Sequence, residues 1–260
     1  MQDEKRTVIV TGGGSGIGRA IAQRFGRSGD TVYVWDIDES RARSALVDGA
    51  DMHAEVVDVR DYDRVLSAVK AVQSATSNLD VVVHSAGVFD GYAGIDDTTP
   101  ELWNRVIELN LTGAFHVARS AGLQMRDAGK GGRIIVVSSI GGVRASLDGL
   151  AYVTSKAGLD HMVRRLAFEL GRDDITVNAV SPGSITTDLG RTSKEILGDA
   201  VKMGGGIRLA MPAEAMKFAL PAGRSGTVDE VAALVEFLAG HESAYINGQA
   251  IAIDGGWTAG

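Results

Sequence analysis

The chain has 260 residues, with 26 Lys and Arg against 33 Asp and Glu for a net charge of −7, and it contains no cysteine. An acidic balance argues against nucleic acid or anionic lipid as a partner, since both are held by basic surfaces. Without thiols there is no disulfide, thiolate nucleophile or thiolate metal ligand. A hydrophobic share of 45% and a charged share of 23% are ordinary for a globular chain, and the length suits one α/β domain over residues 1–260.

Residues 1–6 are polar and run into a short apolar segment, with no signal-like region and no apolar stretch of about 18 residues. A cytoplasmic protein with no membrane partner is expected. Short β-branched runs at 8–10, 32–35, 81–83, 134–137 and 177–180 alternate with stretches at 17–25, 62–72, 102–118 and 151–170 that repeat apolar residues every three or four positions. A further helix-like stretch, 228–238, precedes a last strand at 250–253, which stops at Asp254-Gly255-Gly256. Apolar strands alternating with amphipathic helices predict βαβ units, hence a doubly wound parallel sheet covered on both faces. One stretch, 190–224, breaks the rhythm with Gly204, Gly205, Gly206, Pro212 and Pro221 among apolar Met203, Leu209, Met211, Met216 and Phe218. A long apolar insertion of this kind is expected to be a substrate-binding lid, with a helical excursion packed on the core as the alternative.

Immediately after the first strand stands Thr11-Gly12-Gly13-Gly14-Ser15-Gly16-Ile17-Gly18. Glycines let the backbone turn tightly and approach a pyrophosphate, and the helix that follows directs its N–H groups at the anion. Between a strand and a helix, in the first βαβ unit, the motif predicts a Rossmann-like dinucleotide site with Gly12, Ser15, Gly16, Ile17 and Gly18 at the phosphates. The second strand ends at Asp36, where such folds place the acid that holds the adenosine ribose hydroxyls. A carboxylate there repels a 2′-phosphate, so NAD is the expected cofactor. Arg41 and Arg43 are expected on the solvated face of the next helix. Asp58 and Val59, at the end of a third strand, are placed to meet adenine, and the small residues Ala86 and Gly87 at the end of the fourth leave room for cofactor.

Tyr152 and Lys156 are four residues apart on a predicted helix and share one face. A positive charge beside a tyrosine stabilises its phenolate and lowers its pKa, so this spacing suits a tyrosine acting as general base in alcohol oxidation and as general acid in ketone reduction. Ser138-Ser139, at the end of the fifth strand, and Asn110, within the preceding helix, complete the constellation.

With TGxxxGxG at 11–18, YxxxK at 152–156, Asn110-Leu111-Thr112-Gly113 and the Pro182-Gly183 turn, the chain resembles the short-chain dehydrogenase/reductase family over about 250 residues. The resemblance implies that Ser139 holds the substrate oxygen and that Tyr152 exchanges its proton. It implies that Lys156 binds the nicotinamide ribose and that Asn110 positions a relay water. It also assigns Pro182, Gly183, Ile185 and Thr187 to the cofactor, Thr187 at the nicotinamide amide. Homotetramers pairing the helices at 102–118 and 151–170 are common in that family.

One departure stands out: His84-Ser85-Ala86-Gly87 replaces the family's Asn-Asn-Ala-Gly. A histidine bonded within the strand end is expected, in preference to an acid–base role. The five histidines are scattered, so no metal is expected. Small and apolar residues at 88–92, 140–147 and 182–184 point to a small-molecule alcohol or ketone substrate, although Arg144, Lys202 or Arg208 could instead meet a carboxylate. The alternatives are an NADPH-dependent 3-oxoacyl-carrier-protein reductase and a non-catalytic NAD-binding regulator.

Overall fold

A computed structural model describes residues 5–146, 148–202 and 220–259. Seven parallel strands lie in the order β3-β2-β1-β4-β5-β6-β7: β1 Thr7–Thr11, β2 Thr31–Asp36, β3 Met52–Val56, β4 Val81–His84, β5 Gly132–Val137, β6 Ile175–Pro182 and β7 Ala250–Ile253. The helices are α1 Gly16–Arg27, α2 Glu39–Ser44, α3 Tyr62–Thr76, α4 Pro100–Ile107, α5 Gly113–Ala128, α6 Leu150–Leu170, α7 Leu189–Leu197 and α8 Val228–Ala239.

Alternate strand residues feed two cores, which is why the central strands read as unbroken apolar runs. Ile9, Trp35, Val82, Ile134 and Val177 pack under α3, α5 and α6, while Val8, Val10, Val34, Val83 and Ile135 pack under α1 and α8. Each such side chain, once fully buried, contributes about 1.5–3 kcal/mol of transfer free energy. Strand order reverses between β1 and β4, so the loops leaving their C-terminal ends diverge and open a crevice.

Two elements differ from the sequence reading. The single helix expected over 102–118 is α4 and α5 joined by a π turn, Glu108–Thr112. Its extra residue per turn rotates Asn110 inward, where it is fully buried. The third strand, expected to end at Asp58-Val59, is β3 and ends at Val56; it has no apolar run to mark its bounds because only Met52 among its five residues is buried. Of the expected lid, 190–202 forms most of α7 and a 3-10 turn at Gly198–Ala200, with Leu197 and Val201 packed on Leu102 and Val106. Residues 203–219, which carry all five apolar side chains named for that expectation, lie outside the described residues.

Candidate active site

The loop from β1 to α1 owes its path to glycine for separable reasons. Gly12 and Gly16 have φ of 62° and 50°, the left-handed region that side chains disfavour. A Cβ on Gly12 would stand 2.8 Å from the Ala86 backbone, and one on Gly14 would stand 2.6 Å from the Asp36 carboxylate. On Gly18 it would overlap the Gly12 carbonyl. Ser15 is the N-cap of α1 and makes no side-chain capping bond, so the first N–H groups of α1 have no side-chain acceptor there. A close-approach turn leading to an uncapped helix N-terminus fits a dinucleotide pyrophosphate.

Asp36, 7% exposed, accepts the Gly14 N–H at 3.0 Å on Oδ2 and the Asp38 N–H at 3.1 Å on Oδ1. Arg41 is not on the solvated face expected for it. Asp38 caps the six-residue α2 by accepting the Arg41 N–H at 2.8 Å, and the guanidinium lies 3.6 Å from Asp36 and 3.2 Å from Glu195. Arg43 does stay on the surface, paired with Glu39. Asp58 is gripped by the Arg60 guanidinium and backbone N–H, which hold its carboxyl below the usual range.

The glycine turn, Asp36, Arg41 and Asp58 line one open crevice. Gly12, Ser15, Gly16, Ile17, Gly18 and Asp36 form one wall, and Asp58, Val59, Ala86 and Gly87 form another. Ser139, Tyr152 and Lys156 lie at the wall made by β5 and α6, facing Pro182, Gly183, Ile185 and Thr187. Of the expected catalytic and cofactor residues Asn110 is the one that does not line it, and the described residues of the stretches 88–92 and 140–147 expected at the substrate do not line it either. The sequence reading missed Leu109 and put Arg41 on the solvated face, Ser138 lines the cavity beside Ser139, and Thr192 and Ile196 show that α7 also faces it.

Helix α6 presents Tyr152 and Lys156 one turn apart. Lys156 Nζ donates to the Val137 carbonyl at 2.9 Å and sits 5.5 Å from the centre of the Tyr152 ring, which meets the Phe89 ring edge-on at 5.4 Å. Ser139 Oγ accepts the Gly141 N–H at 3.1 Å, which fixes the serine just past β5. Burial lowers the Lys156 pKa to about 8, opposed by the nearby Asp160 carboxylate. Tyr152 departs from expectation: its pKa is raised, first by burial and then by the charges of Asp148 and Asp90, with the Ser139 hydroxyl acting in the opposite sense. Desolvation of the phenolate outweighs the stabilisation attributed to Lys156.

Asn110 Oδ1 accepts the Val88 N–H at 2.8 Å, and Nδ2 donates to the Val88 carbonyl at 2.9 Å and to Ser155 Oγ at 3.1 Å. It clamps the loop after β4 to α6. His84 is bonded within the strand end as expected, its Nδ1 at 3.0 Å from Thr11 Oγ1. Because Thr11 Oγ1 accepts the Ser85 and Ala86 N–H groups at 3.2 Å, its own proton goes to Nδ1, and the neutral ring carries hydrogen on Nε2. Burial, then the charge of Lys156, depresses the His84 pKa to about 3. Among the described residues no group of three His, Asp or Glu converges as metal ligands, and no helix is long and apolar enough to cross a membrane.

A phenol, a hydroxyl and a buried ammonium meeting beside a dinucleotide-shaped crevice define an oxidoreductase acting on CH–OH groups. The chain belongs to the short-chain dehydrogenase/reductase family: the family model described as enoyl-(acyl carrier protein) reductase matches residues 12–258. It is 32% identical to 3beta-hydroxysteroid dehydrogenase 2 of Eggerthella lenta, covering 98% of this chain and 95% of that one. It is 37% identical to the 3-oxoacyl-[acyl-carrier-protein] reductase MabA of Mycobacterium tuberculosis, covering 96% and 92%. A crystal structure of actinorhodin polyketide ketoreductase with NADPH superposes with a TM-score of 0.85 at 32% identity, covering 99% and 98%.

Proposed function

We propose that this protein transfers hydride between NAD(H) and a secondary alcohol or ketone, with Tyr152 as general acid and base. The observation that carries the reading is one continuous cavity with the glycine turn and Asp36 on one side and Ser139, Tyr152 and Lys156 on the other. Bound there, the nicotinamide supplies or accepts the hydride. The Ser139 hydroxyl orients the substrate oxygen by donating to a carbonyl or accepting from an alcohol. Tyr152 gives that oxygen a proton in reduction and removes one in oxidation. Lys156 holds the nicotinamide ribose and stabilises the phenolate, and Asn110 keeps the loop after β4 and α6 in register around them.

Asp36 supports NAD, because its carboxylate repels a 2′-phosphate. Arg41 supports a second reading, NADPH-dependent carbonyl reduction, since its guanidinium reaches the same end of the cavity. NADH and NADPH oxidation followed over ketones, sugars, steroids and acetoacetyl thioesters tests both. Turnover with NADH is expected; turnover with NADPH alone, on thioesters, would establish the second reading instead. A homotetramer is proposed as well, supported by exposed Phe115 on α5 and Phe168 on α6, 47% and 83% accessible. Sedimentation of the full chain tests it.

A further inference from the structure

Two acidic residues beside Tyr152 have no part in the mechanism above. Asp90, carried by the loop after β4, is fully buried and reaches the first turn of α6, where its Oδ2 accepts the Tyr152 N–H at 2.9 Å. The N-cap of α6 is Gly149, and a Cβ there would overlap the Asp90 carboxylate. The helix that carries the reacting tyrosine is thus capped by a carboxylate from a distant loop, through a gap that only glycine leaves open. Its other oxygen, Oδ1, is buried without a hydrogen-bond partner. Asp148, on the turn before α6, is half-buried and accepts the Ser146 hydroxyl at 2.7 Å on Oδ2. The Asp148 charge acts on Asp90, on the Tyr92 phenol and on Tyr152. Against these two acids stand Lys156 from α6 itself and the Ser139 hydroxyl from the turn after β5.

We propose that Asp90 and Asp148 are positioning residues for the reaction, an acidic brace at the start of α6 in which Asp90 fixes the Tyr152 backbone and both carboxylates oppose loss of the Tyr152 proton. The inference rests on the function proposed above. In carbonyl reduction a bound dihydronicotinamide would supply hydride to the carbonyl carbon, the C=O π pair moves to oxygen, and oxygen takes the Tyr152 proton. Phenolate remains and is reprotonated from solvent. Two carboxylates nearby make the phenolate less favourable, so alcohol oxidation, which needs the phenolate, is held to higher pH. Burial raises both acids above the usual carboxylate range, while the N–H groups at the start of α6 favour the ionised form of Asp90.

The test uses Asp90→Asn, Asp148→Asn and Asp90→Ala, each also combined with Tyr152→Phe. The ultraviolet absorbance of tyrosinate, taken as the difference between each variant and its Tyr152→Phe counterpart in NAD⁺-saturated enzyme, gives the Tyr152 titration midpoint without turnover. Each Asn substitution is expected to lower that midpoint by about one pH unit, through loss of one nearby charge. The pH at which alcohol oxidation rises, and that at which ketone reduction falls, should move down with it. Asp90→Asn keeps an acceptor for the Tyr152 N–H and should retain most of kcat at the shifted optimum, whereas Asp90→Ala should lose at least tenfold. Midpoints unmoved or raised in both Asn variants, with NAD⁺ still bound, overturn the electrostatic brace. Equal kcat in Asp90→Ala and Asp90→Asn overturns the anchoring role. Should the unaltered protein turn over no carbonyl, the oxidoreductase reading fails by itself, and the titration midpoints still decide the brace.

Discussion

Replacing Lys156 with Met should abolish turnover and yet stabilise the fold at neutral pH. Burial takes the ammonium pKa from 10.5 to about 8, so the charged form is disfavoured in the folded protein. At about 1.4 kcal/mol per pKa unit, holding that charge near pH 7 costs the fold roughly 3 kcal/mol. Between the folded value near 8 and the unfolded value of 10.5 the unfolded chain binds more protons, so this group's penalty is relieved as pH rises through that window. By about pH 10 it has fallen to roughly 1 kcal/mol. Methionine fills a similar volume without charge but leaves the Val137 carbonyl without its donor, a loss of about 1–2 kcal/mol. The variant should therefore be about 1–2 kcal/mol more stable near pH 7, and equal to or less stable than the parent near pH 10. For a chain of this size the neutral-pH gain amounts to a few degrees in Tm, about 2–4 °C per kcal/mol. Denaturant unfolding of both proteins at the two pH values, alongside NADH turnover, measures it. A variant destabilised by the same amount at both pH values would refute the claim that a buried charge is held there at a cost.

His84 gives the acid counterpart. Its pKa falls from 6.5 unfolded to about 3 folded, so stability is lost as pH drops below about 6.5 towards 3; His84→Asn should shift acid unfolding to lower pH, as followed by circular dichroism. Asp36→Ala should narrow any preference for NADH over NADPH by about tenfold or more, while Arg41→Ala should raise the KM for NADPH more than that for NADH. A parent enzyme that already prefers NADPH would contradict the role given to Asp36. Gly18→Ala should weaken NADH binding at least tenfold in a fluorescence titration, because its methyl group overlaps the Gly12 carbonyl and displaces the glycine turn.

Features that depend on near neighbours in the chain were legible before any coordinates. The glycine turn, Asp36 at the end of β2 and the Tyr152–Lys156 spacing each follow from a few adjacent residues and the period of one element. What escaped depends on packing between distant segments. Arg41 faces the cavity because Asp38 caps a helix too short to carry it away from Asp36. The π turn at Asn110 leaves the apolar spacing on either side intact, so periodicity read one helix. The edge strand β3 is expected, but it buries too little to spell an apolar run, so the sequence reading sets its end two or three residues late. The electrostatic state of Tyr152 was misread because spacing exposes the neighbouring ammonium, while burial and the acids at 90 and 148 emerge only when the loop after β4 is laid against the start of α6.

The most direct test of the central claim is Tyr152→Phe, assayed for NADH oxidation with a ketone that the parent reduces and, in parallel, for NADH binding by fluorescence. The account predicts that turnover falls by at least two orders of magnitude, the usual contribution of a positioned acid, while the Kd for NADH changes little. Turnover close to that of the parent would contradict it and remove Tyr152 from the chemistry.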